Sequence, residues 1–111
     1  MVDNANESEV FKMMFMQLIY TLQNAAVMQL GKIMNPGTNK IEKNLEQAKG
    51  TIEMLRMLKV KTAGNLSKEE LDMIEQVVYM LQMNYADEIE REKKQSPVQE
   101  QAREEKKEDG K

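Results

Sequence analysis

Apolar residues recur along the chain at the three- and four-residue spacings of an amphipathic α-helix, in three separate stretches. The first stretch predicts a helix over residues 8–33, with Gly31 near its end. At about 100° per residue, one face of this helix is predicted to pack in the core. That face consists of Phe11, Phe15, Leu18, Leu22, Ala26, Leu30 and Ile33.

Helix 1 carries a second apolar face beside the first. From Met13 to Gly31 no residue is charged, although charged residues make up 32% of the chain. Gln17, Thr21 and Asn24 form the only polar stripe, so more than half of the helix circumference is apolar. The core of one small domain cannot cover that much surface. We therefore predict an interface with another molecule on the second face, which consists of Met13, Met16, Tyr20 and Val27.

Turn and capping residues separate the three helices. The sequence Asn-Pro-Gly-Thr-Asn at 35–39 ends helix 1, since Pro fixes φ and Gly and Asn tolerate positive φ. Asn44 and Gln47 can cap helix 2. Gly50, inside helix 2, predicts a close approach to helix 1. The apolar stripe of helix 2 consists of Leu45, Ala48, Ile52, Leu55 and Leu58.

The connection between helices 2 and 3 has the strongest local signals in the chain. Gly64 suits the residue that ends a helix in a left-handed conformation. Ser67 and Glu70 form a capping box, and Leu66 and Leu71 stand at the hydrophobic-staple positions. The helix that follows has an apolar seam of Leu71, Ile74, Val78, Leu81 and Tyr85.

These elements predict an all-α fold of three helices, in which the long apolar helix 1 packs on a hairpin of helices 2 and 3. We expect one helical domain at residues 8–89, after a disordered N-terminus at residues 1–7. Residues 90–111 have almost no apolar side chains and balanced opposite charges. They predict a charged, mostly disordered C-terminal tail.

Composition removes most catalytic chemistry. The chain has no histidine and no cysteine, hence no imidazole as general base or metal ligand, no thiolate nucleophile and no thiolate metal site. The carboxylate pairs Glu69/Glu70 and Asp87/Glu88 have plainer interpretations, as a helix first turn and a solvated helix end. We predict a non-enzymatic protein without cofactor or metal. The net charge of −3 has no basic cluster, so no nucleic-acid partner is expected.

Two interpretations of the apolar surface remain open. A self-associating protein, in the simplest form a cytoplasmic homodimer, would cover the second face of helix 1 with another copy or an unidentified protein. Alternatively, a membrane-peripheral or membrane-protein-associated accessory protein would place helix 1 against lipid or a hydrophobic subunit. The amide side chains in helix 1 disfavour a membrane crossing.

Eleven methionines add to this surface, several of them outside the predicted seams. Flexible thioether side chains suit either an adaptable binding surface or the filling of gaps in a core. The methionines outside the seams are Met13, Met16, Met54, Met57, Met73, Met80 and Met83.

Several motifs in this order resemble a known family. They are Asn35-Pro36, the spaced series Leu45, Ala48, Lys49, Ile52, Leu55 and Leu58, the segment from Lys61 to Glu70, and then Leu81 and Tyr85. Over about Phe11 to Ala86 the chain resembles domain-of-unknown-function family 1844, a group of small bacterial proteins. The resemblance implies a bacterial, mostly helical protein and carries over no catalytic residue, cofactor or substrate.

Overall fold

The computed structural model describes the backbone of residues 4–107 and the side chains of residues 6–94. It contains three helices, α1 (Asn4–Gln29), α2 (Leu45–Lys61) and α3 (Lys68–Lys107). The predicted all-α fold of three helices is confirmed. Between α1 and α2, Asn35 and Lys40 form an isolated antiparallel bridge.

The bounds of α1 differ from the predicted ones at both ends. α1 begins at Asn4, earlier than residue 8, with Glu7 in its first turn, where the helix dipole favours an acidic side chain. It ends at Gln29 rather than residue 33, because Gly31 adopts a φ of 81°. The α3 backbone continues past residue 89, through Pro97 to Lys107, in a segment rich in the helix-favouring residues Glu, Lys, Gln and Arg.

Ion pairs and hydrogen bonds define how the helices lie against one another. Lys12 of α1 contacts Glu69 near the start of α3, and Lys32, just after α1, contacts Glu88. α1 and α3 therefore run parallel. α2 runs antiparallel to both, and all three pairs of helices are in contact.

The core lies between the three helices and is almost entirely aliphatic. Its fully or nearly fully buried side chains are Ile19, Ala26 and Leu30 of the first helical segment, Ala48, Ile52 and Leu55 of α2, and Ile74, Val77, Val78 and Leu81 of α3. Burying one Leu or Ile side chain contributes about 1.5–3 kcal/mol, so the packing of this cluster holds the helices together.

The predicted core face of helix 1 is partly wrong. Phe15 and Leu22 pack against the core and Ala26 and Leu30 are buried, as expected. Ile19, which the seam omitted, is fully buried, whereas Phe11, Leu18 and Ile33 are exposed. The core direction is rotated toward Ile19. Phe11 also lies level with the start of α3, where no further turn of that helix can cover it.

The predicted caps are present, but the interpretation of Gly50 is wrong. Ser67 Oγ accepts from the Glu70 amide at 3.2 Å, and Glu70 Oε1 accepts from the Ser67 amide at 2.7 Å. Gly64 has a φ of 87°, and Asn44 Oδ1 accepts from the Gln47 amide. A Cβ atom at Gly50 would meet nothing within 4 Å, so this glycine serves no close approach between helices.

Candidate functional site: an uncharged groove between α1 and α3

A groove of about 420 Å³ runs between the parallel helices α1 and α3. All of its lining side chains are uncharged; they are Tyr20, Gln23, Met73, Gln76, Val77, Tyr79 and Met80. We call it the neutral groove. Because two helices contribute to it, its floor is fixed by the same packing that forms the core, and only its upper side chains are free to adapt.

The neutral groove continues toward the N-terminus of α1 as an apolar patch. This α1 patch consists of Met13, Met16, Gln17 and Tyr20, and Tyr20 belongs to both surfaces. The structure thus brings three of the four predicted interface residues together, with Met13 67% and Tyr20 56% exposed. Met16 is half-buried beside them.

The fourth predicted interface residue, Val27, lies elsewhere. Its side chain is half-buried and packs against the core cluster. The helical wheel placed Val27 near Tyr20, but α1 is covered more completely toward its C-terminal end, where the core residues Ala26 and Leu30 flank it. Val27 is therefore not part of the α1 patch.

Sequence reasoning missed the contribution of α3 to this surface. Tyr79, 66% exposed, and Met80 line the groove, and Met83 continues the exposed apolar row along α3. The signal that pointed to them was the presence of methionines outside the core seam, namely Met73, Met80 and Met83. No pattern in the sequence alone says that α3 lies parallel to α1, which is what joins the two rows.

Other grooves of the described residues carry charge. The groove between α1 and α2 includes Glu42 and Lys43, and the one between α2 and α3 includes Lys49 and Glu53. Burying such side chains beneath a partner requires a matching charge, since an unpaired buried charge is strongly unfavourable. The lining of the neutral groove itself carries no charge, but Asp72 and Glu75 line an adjoining groove on α3 that shares Gln76 and Tyr79 with it.

A second exposed apolar surface lies on the opposite flank of α1. Val10, Phe11, Met14 and Leu18 are each about half exposed and share one side of the helix. This flank faces the α2 side of the bundle rather than α3. It is convex, since it belongs to one helix alone.

A buried ion-pair cluster ties the α1–α2 connection to α3. Glu88, only 4% exposed, accepts from Lys32 at 2.5 Å, and Lys43 Nζ lies 2.8 Å from its other oxygen. Arg91 approaches the same carboxylate at 3.7 Å. We call these four residues the Glu88 cluster. The hydrogen bonds from Lys32 and Lys43 lower the pKa of Glu88 from 4.5 to about 2, against the opposing effect of burial.

The position of Glu88 corrects the sequence interpretation of Asp87/Glu88 as a solvated helix end. Asp87 is exposed and pairs with Arg91 one turn on, whereas Glu88 faces inward. Its partners lie 56 and 45 residues away in the chain, beyond the reach of any local pattern. The shifted pKa has a complete structural cause in these ion pairs and needs no catalytic role.

The described residues show no arrangement typical of a metal site or of a membrane-spanning helix. No group of three or more acidic side chains among them is arranged to hold a metal ion. None of the helices, over that same part of the chain, combines the length and hydropathy that a membrane crossing requires.

The fold and the groove define a small three-helix protein with an uncharged, two-helix surface. Residues 12–87 match the sequence model of the family described as Domain of unknown function (DUF1844). The match includes all of α2, most of α1 and the part of α3 that packs in the core, and the chain belongs to this family. No curated protein and no solved structure matches the chain.

Proposed function

We propose that this protein is a non-enzymatic interaction protein that self-associates through its uncharged surface on α1. The observation that carries the proposal is the continuity of the α1 patch with the neutral groove. Monomeric soluble proteins rarely expose contiguous apolar patches of more than a few hundred Å², and larger ones mark interaction sites. Methionine side chains suit such a site because they adapt to the shape of a partner.

The chemistry of the surface supports binding rather than catalysis. Its polar groups are amides and phenols, which orient a partner by hydrogen bonds but are poor proton acceptors near neutral pH. With no histidine or cysteine in the chain, a nucleophile or base would have to come from a carboxylate or a lysine. The lining of the groove contains neither.

Adjacent methionines provide a matched test of self-association. Met13 and Met14 are 67% and 58% exposed, yet they are about 100° apart around α1 and only Met13 lines the α1 patch. We expect light scattering after gel filtration to give at least a dimer for the natural chain. Met13→Glu combined with Tyr20→Glu should dissociate it, while Met14→Glu, the control, should leave the mass unchanged.

Circular dichroism separates dissociation from unfolding in this experiment. Both substituted side chains are mostly exposed in the monomer, so helicity should persist in the dissociated variant. A natural chain that is monomeric at all accessible concentrations would overturn the proposal. Dissociation by Met14→Glu but not by the double variant would assign the contact to the other flank of α1.

A membrane-peripheral role is the second candidate, favoured by the exposed flank of Val10, Phe11, Met14 and Leu18. An amphipathic helix can lie in the membrane interface through such a flank. Glu7 and Glu9 nearby oppose binding to anionic lipid, so neutral vesicles are the appropriate probe. Flotation with such vesicles that is abolished by Phe11→Ser, with Tyr79→Ser as the control, would support this role; no flotation would exclude it.

A further inference from the structure

We infer that the neutral groove is closed by the same groove of a second copy, related by a twofold axis that sets the two α3 helices antiparallel near Tyr79. This inference rests on the proposed self-association and adds to it the second helix, the symmetry and the orientation of the contact. It gives α3 an equal share in the interface through Tyr79, Met80 and Met83.

The groove is open along one side of the domain only. The Lys12–Glu69 contact joins α1 to α3 at one end of the groove. The Lys32–Glu88 pair joins the segment just after α1 to α3 at the other end. α2 covers the opposite side of this parallel pair through the buried cluster. A partner that fills the groove must therefore contact α1 and α3 together.

The polar groups of the groove are self-complementary. Gln23 and Gln76 each carry a donor and an acceptor, and so do the phenols of Tyr20 and Tyr79. In an isologous contact each surface meets its own copy, so groups that only donate or only accept would be left unpaired. Amides and phenols can pair with themselves across a twofold axis.

The exposed apolar area is close to what a stable dimer requires. Met13, Tyr20, Tyr79, Met80 and Met83 are between 39% and 67% exposed, which corresponds to about 600 Å² if each presents about 200 Å² when fully exposed. Half-buried neighbours raise this toward the value of about 800 Å² per partner in standard interfaces. A contact through α1 alone would fall short of it.

Charges at the rim favour the antiparallel orientation. The first turns of α3 carry Glu69, Glu70 and Asp72, whereas Arg91 lies beyond the far end of the groove. A parallel pair of α3 helices would place the acidic turns side by side. In the antiparallel pair the two acidic turns lie at opposite ends of the contact, each beside the segment of mixed charge around Arg91, which pairs with Asp87 and Glu88 of its own chain. The acidic rim also disfavours an anionic membrane as the occupant.

Cysteine cross-linking tests this arrangement cleanly because the chain has no cysteine of its own. In an antiparallel twofold pair only residues near the axis meet their own copies. We expect Tyr79→Cys to cross-link efficiently with a short bifunctional maleimide, and Asp72→Cys, about two turns away on the same helix, to cross-link weakly. Met57→Cys on the exposed face of α2 is the control and should not cross-link.

The outcomes distinguish this inference from the proposed function. A Tyr79→Cys chain that is still a dimer by light scattering but does not cross-link at position 79 overturns the inference and leaves self-association standing. A natural chain that is monomeric overturns both. Equal cross-linking at positions 72 and 79 indicates parallel α3 helices and overturns the stated orientation.

A second measurement does not depend on cross-linking. Tyr79 is mostly exposed in the monomer, so Tyr79→Lys should fold normally. If Tyr79 lies at the centre of the contact, this change should raise the dimer dissociation constant at least about tenfold, the effect of losing a central aromatic anchor. An unchanged dissociation constant for Tyr79→Lys, with native helicity, would overturn the inference.

Discussion

The two connections between helices are built in opposite ways. Residues 62–67, between α2 and α3, are held by contacts that span three or four residues, such as the Ser67–Glu70 capping box and the Thr62 hydroxyl on the Leu58 carbonyl at 2.7 Å. Residues 30–44, between α1 and α2, depend on distant partners. The Asn44 amide donates to the Gln29 carbonyl, and Lys32 and Lys43 bind Glu88.

This difference separates what a short segment can specify by itself from what only the folded domain supplies. The α2–α3 connection contains the residues that end α2 and begin α3. The effects of substitutions there on stability should therefore be local and independent of one another. The α1–α2 connection has a local turn around Asn35, but its two ends are held by one buried carboxylate on α3. Changes at that carboxylate should therefore have larger effects than any single change in the shorter connection.

The largest effect is expected from Glu88→Gln. This change removes the carboxylate from between Lys32 and Lys43, so Lys32 loses its ion-pair partner and Lys43 retains only the exposed Glu92. Breaking a buried ion pair in this way costs about 3 kcal/mol in the free energy of unfolding, measurable by urea denaturation. Glu92→Gln, at an exposed carboxylate 3.7 Å from Lys43, is the control and should cost at most about 0.5 kcal/mol.

The pH dependence of stability should reveal the same group. Because its pKa is lowered from 4.5 to about 2, ionised Glu88 contributes stability above pH 4.5 and loses that contribution as the pH falls toward 2. The gap in unfolding free energy between the natural chain and Glu88→Gln should therefore be full at pH 7 and small at pH 2. A gap that stays constant over this range would contradict the assignment.

Two glycines with positive φ allow the connections to be compared directly. Gly31 has a φ of 81°, and an added Cβ would lie 3.1 Å from the Lys43 side chain; at Gly64, with a φ of 87°, it would meet nothing within 4 Å. We expect Gly64→Ala to cost about 1 kcal/mol from backbone strain alone. Gly31→Ala should cost about 2 kcal/mol, because it also displaces Lys43 from the Glu88 cluster.

Equal costs for the two glycine substitutions would show that Lys43 moves aside freely. Thermal unfolding of both variants beside the natural chain is sufficient for the comparison. Adding Glu88→Gln to each provides a further check. The loss at Gly31 should shrink in that background, whereas the loss at Gly64 should not change.

The cap of α3 should give an effect no larger than that of Gly64→Ala. Ser67→Ala removes the hydroxyl that accepts from the Glu70 amide and should cost about 1 kcal/mol. Ser67→Asp, which can accept the same hydrogen bond, should restore most of that loss. If Ser67→Ala had an effect as large as Glu88→Gln, the contrast between the two connections would not hold.

The sequence predicted those features whose causes lie within a few residues. Ser67, Glu70 and Gly64 have the roles in the structure that their spacing indicated. The helical spacing of apolar residues in three stretches was likewise enough to predict the all-α fold class. Met13 and Met16 were assigned to a shared exposed face because the helical wheel is a local construction.

The features that could not be predicted depend on where the helices lie in space. Ile19 is buried because α2 and α3 meet α1 on that side, a direction that the apolar pattern of α1 leaves open. From the sequence alone Glu88 is predicted to be a surface carboxylate, because Lys32 and Lys43 contact it only in the folded domain. Tyr79 joins the surface of α1 only because α3 runs parallel to α1.

The Glu88 cluster also determines how freely the α1–α2 connection can change in length. Lys32 and Lys43 bring both ends of this connection to one carboxylate, while residues 36–39 at its tip are exposed. Loop-closure entropy rises only slowly with length, so it contributes about 0.5 kcal/mol or less to the cost of two extra residues between Gly37 and Thr38. The insertion also breaks the turn in which the Thr38 and Asn39 amides donate to the Asn35 carbonyl, so the total cost should be about 1–2 kcal/mol. Because the tip is exposed, it can still accept an inserted segment, such as an epitope or a fluorophore site.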